Sequence, residues 1–263
     1  MKAVCAAPMT VPREEFPFIL AAILDVGEMM LTSGAEVNRV EDTMQRMARA
    51  YGCTRVDVFT ITSSIVVTAH YADGEIFTQT RRILNYDTDM YKIERCNSLS
   101  RQVCAAPLNR ADLEAAIAGI RKERAYPKWL NCFGYCLVAF SFTLFFGGAI
   151  WDALASCICG FLLYLATTLC VRIRLQRFVM TILCSAVVGL GAVALTQLGL
   201  GASIDKICIG NVMLLIPGIS FTTSLRDMIS GDTISGLLGL CEALLRAVAI
   251  AIGFAVILWQ FGG

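Results

Sequence analysis

From Leu130 to Trp259 the chain runs mostly in apolar stretches of about twenty residues, the length at which a helix crosses the roughly 30 Å hydrocarbon core of a bilayer. Four of them are Leu130 to Ile150, Ala153 to Val171, Phe178 to Leu198 and Gly236 to Trp259. A fifth, from about Ile207 to Ile229, qualifies only if an internal Pro-Gly break is tolerated. Charge divides the chain at the same place: residues 1–129 carry 16 Lys+Arg and 16 Asp+Glu, and residues 130–263 carry 6 and 5. A mean hydropathy of +0.66 and 16% charged residues, where soluble domains have about 25%, point to a membrane protein.

The connecting segments give an orientation, because Lys and Arg in short loops mark the cytoplasmic side. "RKERAYPK" (121–128) and "RIRLQR" (172–177) are basic, "GGAIWD" (147–152) has no basic residue, and "LGASIDK" (200–206) balances Lys206 with Asp205. That alternation predicts five crossings, with the N-terminus inside and the C-terminus outside. Trp129, Trp151 and Trp259 fall at run ends, as an interfacial aromatic belt requires. The opening "MKAVCAAPMTVPREE" is interrupted by Pro8 and Pro12 and lacks a signal peptide's apolar core, so the front half is expected to stay in the cytoplasm.

That front half reads as a segment expected to be disordered (1–15) followed by a small α+β domain (16–125). "FPFILAAILDVGEMML" (16–31) is too short, and with Asp25 and Glu28 too polar, to span; it predicts a buried core helix. Ser33 and Glu36 have capping-box spacing, which predicts a second helix start there. Its stripe is Val37, Val40, Met44, Met47 and Tyr51, its stop Gly52, and Asp42 and Arg46 can pair at i,i+4. β-branched runs predict strands near 55–62, 64–71 and 75–83, with Asp73-Gly74 as a hairpin turn. Helices are expected near 88–103 and 109–124, the latter capped by Asn109.

Several chemistries are excluded by what the chain contains. There is no basic patch for nucleic acid. Twelve cysteines include no C-x-x-C pair, and eight fall in or beside apolar runs, where a reduced cysteine acts as a small hydrophobe. The single histidine, His70, sits in a strand pattern with no partner at ligand spacing, so it reads as structural. A membrane-embedded hydrolase would need a base beside its nucleophile, and the second half offers no histidine, one lysine and no G-x-S-x-G. No cofactor or metal is implied.

Polar residues inside the apolar half are the candidate machinery. In "MLLIPGISFTTSLRDMISGD" (213–232), Pro217 removes the amide that would bond Met213, and Gly218 loosens the next turn. Such broken helices build substrate sites in transporters, because freed backbone is tolerated in lipid only where protein or water takes it up. Ser220, Thr222, Thr223 and Ser224 offer hydroxyls, and Arg226 and Asp227 one charge of each sign. In the last run Glu242 and Arg246 stand at i,i+4, where intramembrane charge marks a cavity or a partner. The expected roles are Pro217, Gly218, Ser220, Thr222, Thr223, Arg226 and Arg246 in substrate binding, and Asp227 and Glu242 in ammonium binding or proton coupling.

With these residues the sequence resembles the threonine/serine exporter (ThrE) family in its short, YjjP-like form. The resemblance rests on "GEMMLTSGAEVNRVEDTMQRMARAYG" (27–52), "AYPKWL" before the first run, "FFGG" at its end and "VMLLIPGISFTTSLRDMISGDTISG" (212–236). It implies a cytoplasmic domain preceding a membrane domain, and export of small amino acids or, in some members, dicarboxylates. It also implies a second membrane half, which short members receive from a separate small protein.

The whole reads as a membrane all-α bundle of five transmembrane helices (126–263) preceded by a small cytoplasmic α+β domain. Its expected function is transport rather than catalysis: a secondary transporter subunit of the bacterial inner membrane, driven by an ion gradient since no G-x-x-x-x-G-K-[ST] motif appears. Threonine or serine is the first substrate and a succinate-type dicarboxylate the alternative. The expected partners are the bilayer and a second small membrane protein or another copy. A membrane-anchored sensor or scaffold is the rival reading.

Overall fold

The computed structural model describes residues 9, 11–71, 73–84, 87–123 and 126–261. The chain divides into two compact units, residues 1–125 with 219–240, and residues 126–218 with 241–263.

The first unit is built on α1 (Phe16–Thr32), whose apolar residues are too many for one face. Phe16, Ile19, Leu20, Ile23, Leu24, Val26 and Met30 are all buried, as expected of a core helix. Against it lies α2 (Val37–Ala50), amphipathic, with Val37, Val40, Met44 and Met47 inward and the Arg46–Asp42 pair closed outside at 2.8 Å. Gly27 lets the two helices meet closely: a Cβ there would lie 2.3 Å from Met44 Sδ and would require that side chain to shift. α2 ends as predicted, with Gly52 at φ +89°.

β1 (Arg55–Ile61), β2 (Ser64–His70) and β3 (Ile76–Arg82) form an antiparallel sheet in the order β1-β2-β3, with Val58 opposite Val67 and Val67 opposite Gln79. Its inner face supplies Val56, Ile65, Val67 and Ala69 to the core. His70 Nε2 stands 4.0 Å from Asp57. α3 (Met90–Ala105) and α4 (Arg110–Lys122) complete the core with Cys96, Leu99, Val103, Leu113 and Ile117; Asn109 caps α4, accepting from the Asp112 amide at 2.8 Å. Burial pushes the Cys53 and Cys96 thiols up to about 12 and about 11, so both are protonated, apolar core atoms. Of the segment expected to be disordered, residues 1–8 and 10 lie outside the described residues, whereas Val11 is buried and its amide donates to Tyr71 Oη at 2.8 Å. The expected end of α4, residue 124, also lies outside them.

One boundary differs from expectation. The Ser33–Glu36 capping box does not form: Ser33 closes α1 with its amide on Met29 O and Met30 O, and Glu36 is the N-cap of α2 without a side-chain cap bond. The reason is that α1 continues to Thr32, which makes Ser33 its C-cap and leaves it unable to start α2.

The second unit contains α5 (Lys128–Phe145), α6 (Ile150–Arg172), α7 (Arg177–Gln197), α8 (Ile204–Leu215) and the greater part of α10 (Thr233–Phe261). Four of the described helices, α5, α6, α7 and α10, are long and apolar enough to span a bilayer, and α8 with α9 (Gly218–Ile229) makes a fifth candidate if the bent pair counts as one span. Leu137, Leu154, Phe161, Leu165, Leu183, Leu190 and Val256 remain exposed, the outward face that lipid rather than water suits. Inside, small residues bring helices close: a Cβ on Gly160 would meet Tyr135 O at 2.9 Å, and one on Gly253 would overlap Ser185 Oγ.

Candidate functional site

The predicted break is present and sharp. α8 stops at Leu215, Ile216 is extended (φ −61°, ψ 126°), Gly218 donates its amide to Ile216 O at 2.8 Å, and the axes of α8 and α9 differ by 52°. Pro217 leaves Met213 O without the amide an unbroken helix would supply.

On α9 the hydroxyls turn back onto their own helix. Thr222 Oγ1 donates to Ile219 O (2.9 Å), Thr223 Oγ1 to Ile219 O and Ser220 O (2.9 and 3.1 Å), and Ser224 Oγ to Ser220 O (2.7 Å). Each proton is thereby engaged, and what the side chain retains is an acceptor lone pair, suited to a donor such as an ammonium. Ser224 itself is buried against α10: a Cβ on Gly239 would lie 2.3 Å from its Oγ.

Arg226 and Asp227 are used in a way no local pattern showed. Arg226 Nη1 pairs with Glu36 Oε1 at 2.7 Å, and the buried Asp227 carboxylate accepts the Val37 amide at 3.2 Å. The first amides of any helix lack intrahelical partners, and an anion suits them twice over, as acceptor and as counter-charge to the dipole. Asp227 therefore supplies an acceptor for the first amide of α2. The α9–α10 turn is tied down further along, where Ser235 Oγ donates to Thr60 O (3.1 Å) while Glu41 accepts the Thr60 amide (2.8 Å). Burial foremost, with the Asp232 charge adding to it, raises the Glu41 carboxyl above its ordinary range despite the Thr60 amide bond that lowers it. Glu41, Asp232 and Ser235 were not singled out from sequence, and Glu36 only as the capping partner of Ser33. The one visible signal for Asp232 is the polar run Ser230-Gly231-Asp232-Thr233 between two apolar stretches.

In the second unit Glu242 and Arg246 pair at 3.1 Å as predicted, and Arg177 Nη1 stands 4.0 Å from the same Glu242 oxygen. Arg177 is the first residue of α7, so this charge group lies at the α6–α7 end of the bundle. Deeper, Asn211 of α8 is fully buried and donates to Ser156 Oγ (2.8 Å) and Ile207 O (3.0 Å), while its Oδ1 has no hydrogen-bond partner among the described residues. At the opposite end from Arg177 along α6, Asp152 accepts from Ala149 (2.9 Å), Ala202 (2.6 Å) and Ser203 (3.0 Å), stapling the α5–α6 turn to the loop before α8. Asn211 and Asp152 were also missed. Among the described residues no group of three or more His, Cys, Asp or Glu side chains is arranged to hold a metal.

A sequence profile of the family described as "Putative threonine/serine exporter" (ThrE) matches residues 21–261, nearly the whole chain. The protein belongs to the threonine/serine exporter family. It is 23% identical over 241 residues to the "Probable threonine/serine exporter" of Mycobacterium tuberculosis, covering 90% of this chain and 45% of that one. It is 24% identical over 250 residues to the "Probable succinate transporter subunit YjjP" of Escherichia coli K12, covering 91% of this chain and 94% of that one. This ThrE family chain thus spans about half the length of the mycobacterial relative and nearly all of the E. coli one. No solved structure matches it. Exporter family membership together with the apolar helices makes it a multi-pass protein of a bacterial membrane, in a family of transporters.

Proposed function

We propose that the chain is a secondary transporter subunit that exports a small polar metabolite across the bacterial inner membrane, driven by an ion gradient. The observation that carries this is the α8–α9 break: a polar, kinked segment inside the apolar half of a chain whose family exports small molecules. An anchor needs neither the break nor the hydroxyls. In this reading five spans cross the membrane, with a cytoplasmic N-terminal domain (16–125), a five-span domain (126–263) and the C-terminus outside.

The assigned roles follow from charge. Pro217 and Gly218 open the backbone, and the acceptor oxygens of Ser220, Thr222 and Thr223 receive substrate donors. Arg226 or Arg246 holds a carboxylate, and Asp227 or Glu242 binds an ammonium or carries the coupled proton. Threonine and serine need one binder of each sign, and both signs are present.

A dicarboxylate is the second reading, favoured by one observation: the E. coli relative named as a succinate transporter subunit is matched over 94% of its length, against 45% for the threonine/serine relative. That relative is a subunit by name, and an odd number of spans suits a partner inserted in the opposite sense to form an inverted pair. We therefore propose a second small membrane protein, or a second copy, as the working partner. Uptake of radiolabelled threonine and, separately, of radiolabelled succinate into inverted vesicles, with or without a co-expressed partner, tests all three points. Threonine flux competed by serine supports the amino-acid reading, succinate flux without threonine flux the dicarboxylate reading, and absence of flux of both labels with and without the partner contradicts transport.

A further inference from the structure

α1 is a core helix that keeps its only two charges, Asp25 and Glu28, for one stripe. With Met29 and Thr32 they stand at i, i+3, i+4 and i+7, on one helical face. That face lines an open cavity of about 550 Å³ in the first unit, lined also by Arg81 of β3, Lys92 of α3 and Arg121 of α4. Four elements thus direct ionisable side chains into one space of the size that holds a small metabolite. The wall is partly saturated. Arg81 Nη2 bonds Asp25 at 2.5 Å, Arg121 stands 3.6 Å from the other Asp25 oxygen, and Lys92 leans on Asp89 at 3.4 Å. Among the described residues Arg81 Nε is buried without a hydrogen-bond acceptor, its neighbour Glu28 Oε2 lying at 3.4 Å outside bonding geometry. A buried guanidinium N–H without an acceptor is costly, and a planar carboxylate is the group that matches its fork.

We propose that this cavity is a second binding site, separate from the transport pathway, for a small carboxylate metabolite. The carboxylate is taken by Arg81 and Arg121 with Lys92 beside them, and an α-ammonium, where the ligand has one, by Glu28. The site is placed to report occupancy. Thr32 ends α1, and five residues further on is Val37, whose amide Asp227 of α9 holds.

The test is calorimetric titration of the full chain in lipid nanodiscs with L-serine, succinate and, as an ammonium lacking a carboxylate, ethanolamine. Arg121→Ala and Lys92→Ala report on the cavity, since both side chains are partly exposed and outside the core. Glu242→Gln reports on the membrane unit. The expected result is saturable binding of serine or succinate but not ethanolamine, with a component weakened about tenfold or more by Arg121→Ala, as loss of a charge-assisted bond requires. Three results would overturn the proposal: no carboxylate binding to the wild type, binding unchanged in both cavity variants, or ethanolamine binding as well as serine. If Glu242→Gln abolishes binding while both cavity variants retain it, the ligand sits in the transport pathway. That outcome removes the cavity assignment and leaves the transporter reading intact. Conversely, failure of transport in vesicles with cavity binding retained leaves this inference standing.

Discussion

The carboxylate of Asp227 holds the amide of Val37 at 3.2 Å across 190 residues of chain, so a residue of the broken segment caps the second helix of the N-terminal fold. Asp227→Ala strips a buried helix end of a charged acceptor and is expected to destabilise the first unit by about 1.5–3 kcal/mol. The neighbouring Arg226–Glu36 pair has an arginine side chain 68% exposed, so a double-mutant cycle on it should return only about 0–1 kcal/mol. Thermal unfolding of the purified protein checks both, and equal losses for the two pairs would contradict the assignment.

Glu41 predicts a pH dependence. Its folded carboxyl titrates above the unfolded one, so the folded state binds the extra proton in the window between the two values. Stability therefore falls as pH rises through that window, and the cost persists above it. Glu41→Gln keeps an acceptor for the Thr60 amide and removes the charge. Melting curves from about pH 4 to 8 should show the variant with a flatter profile and the higher midpoint at the upper end. A steeper profile in the variant would reverse the sign and refute the argument.

Ser224 and Gly239 predict a rescue. Gly239→Ala drives a methyl into Ser224 Oγ, an overpacking that costs about 1–3 kcal/mol. Removing the hydroxyl in Ser224→Ala with Gly239→Ala leaves the new Cβ at 3.3 Å from Ser224 Cβ and should recover most of that loss. A double variant no more stable than Gly239→Ala alone would mean that α9 and α10 do not meet as described.

Asp152 is the corresponding prediction in the membrane unit. Asp152→Ala orphans three backbone amides around a side chain 2% exposed, with an expected loss of about 3 kcal/mol or more. Asp152→Asn, which keeps acceptor capacity on one oxygen only, should fall between. Unfolding in detergent that shows Asn no better than Ala would count against the staple.

These contacts also show why the two halves were unequally legible. The strands followed from β-branched alternation around Asp73-Gly74, and the apolar helices from run length, both local signals. The Pro217 break was equally local. The capping-box reading of Ser33 failed because α1 continues to Thr32 and makes Ser33 its C-cap, while the first amide of α2 is held by a residue 190 positions away, which spacing rules cannot see. For the same reason Glu242 was paired with Arg246, four residues away, but not with Arg177. Asn211 and Asp152 look unremarkable in sequence, since one polar residue beside an apolar run is ordinary. Only the fold shows that Asn211 is enclosed and that Asp152 gathers amides from two loops.

The central claim is that the α8–α9 break is part of a transport pathway rather than a kink in an anchor. Pro217→Ala with Gly218→Ala restores a continuous helical backbone without a clash, since a Cβ at Gly218 meets nothing within 4 Å. The decisive measurement is substrate flux into inverted vesicles by wild type and by this double variant, with melting curves confirming that both fold. The account predicts a folded variant whose flux falls by about tenfold or more, the effect of misplacing binding groups by even about 1 Å. Wild-type flux through a folded variant with a straightened helix would contradict it.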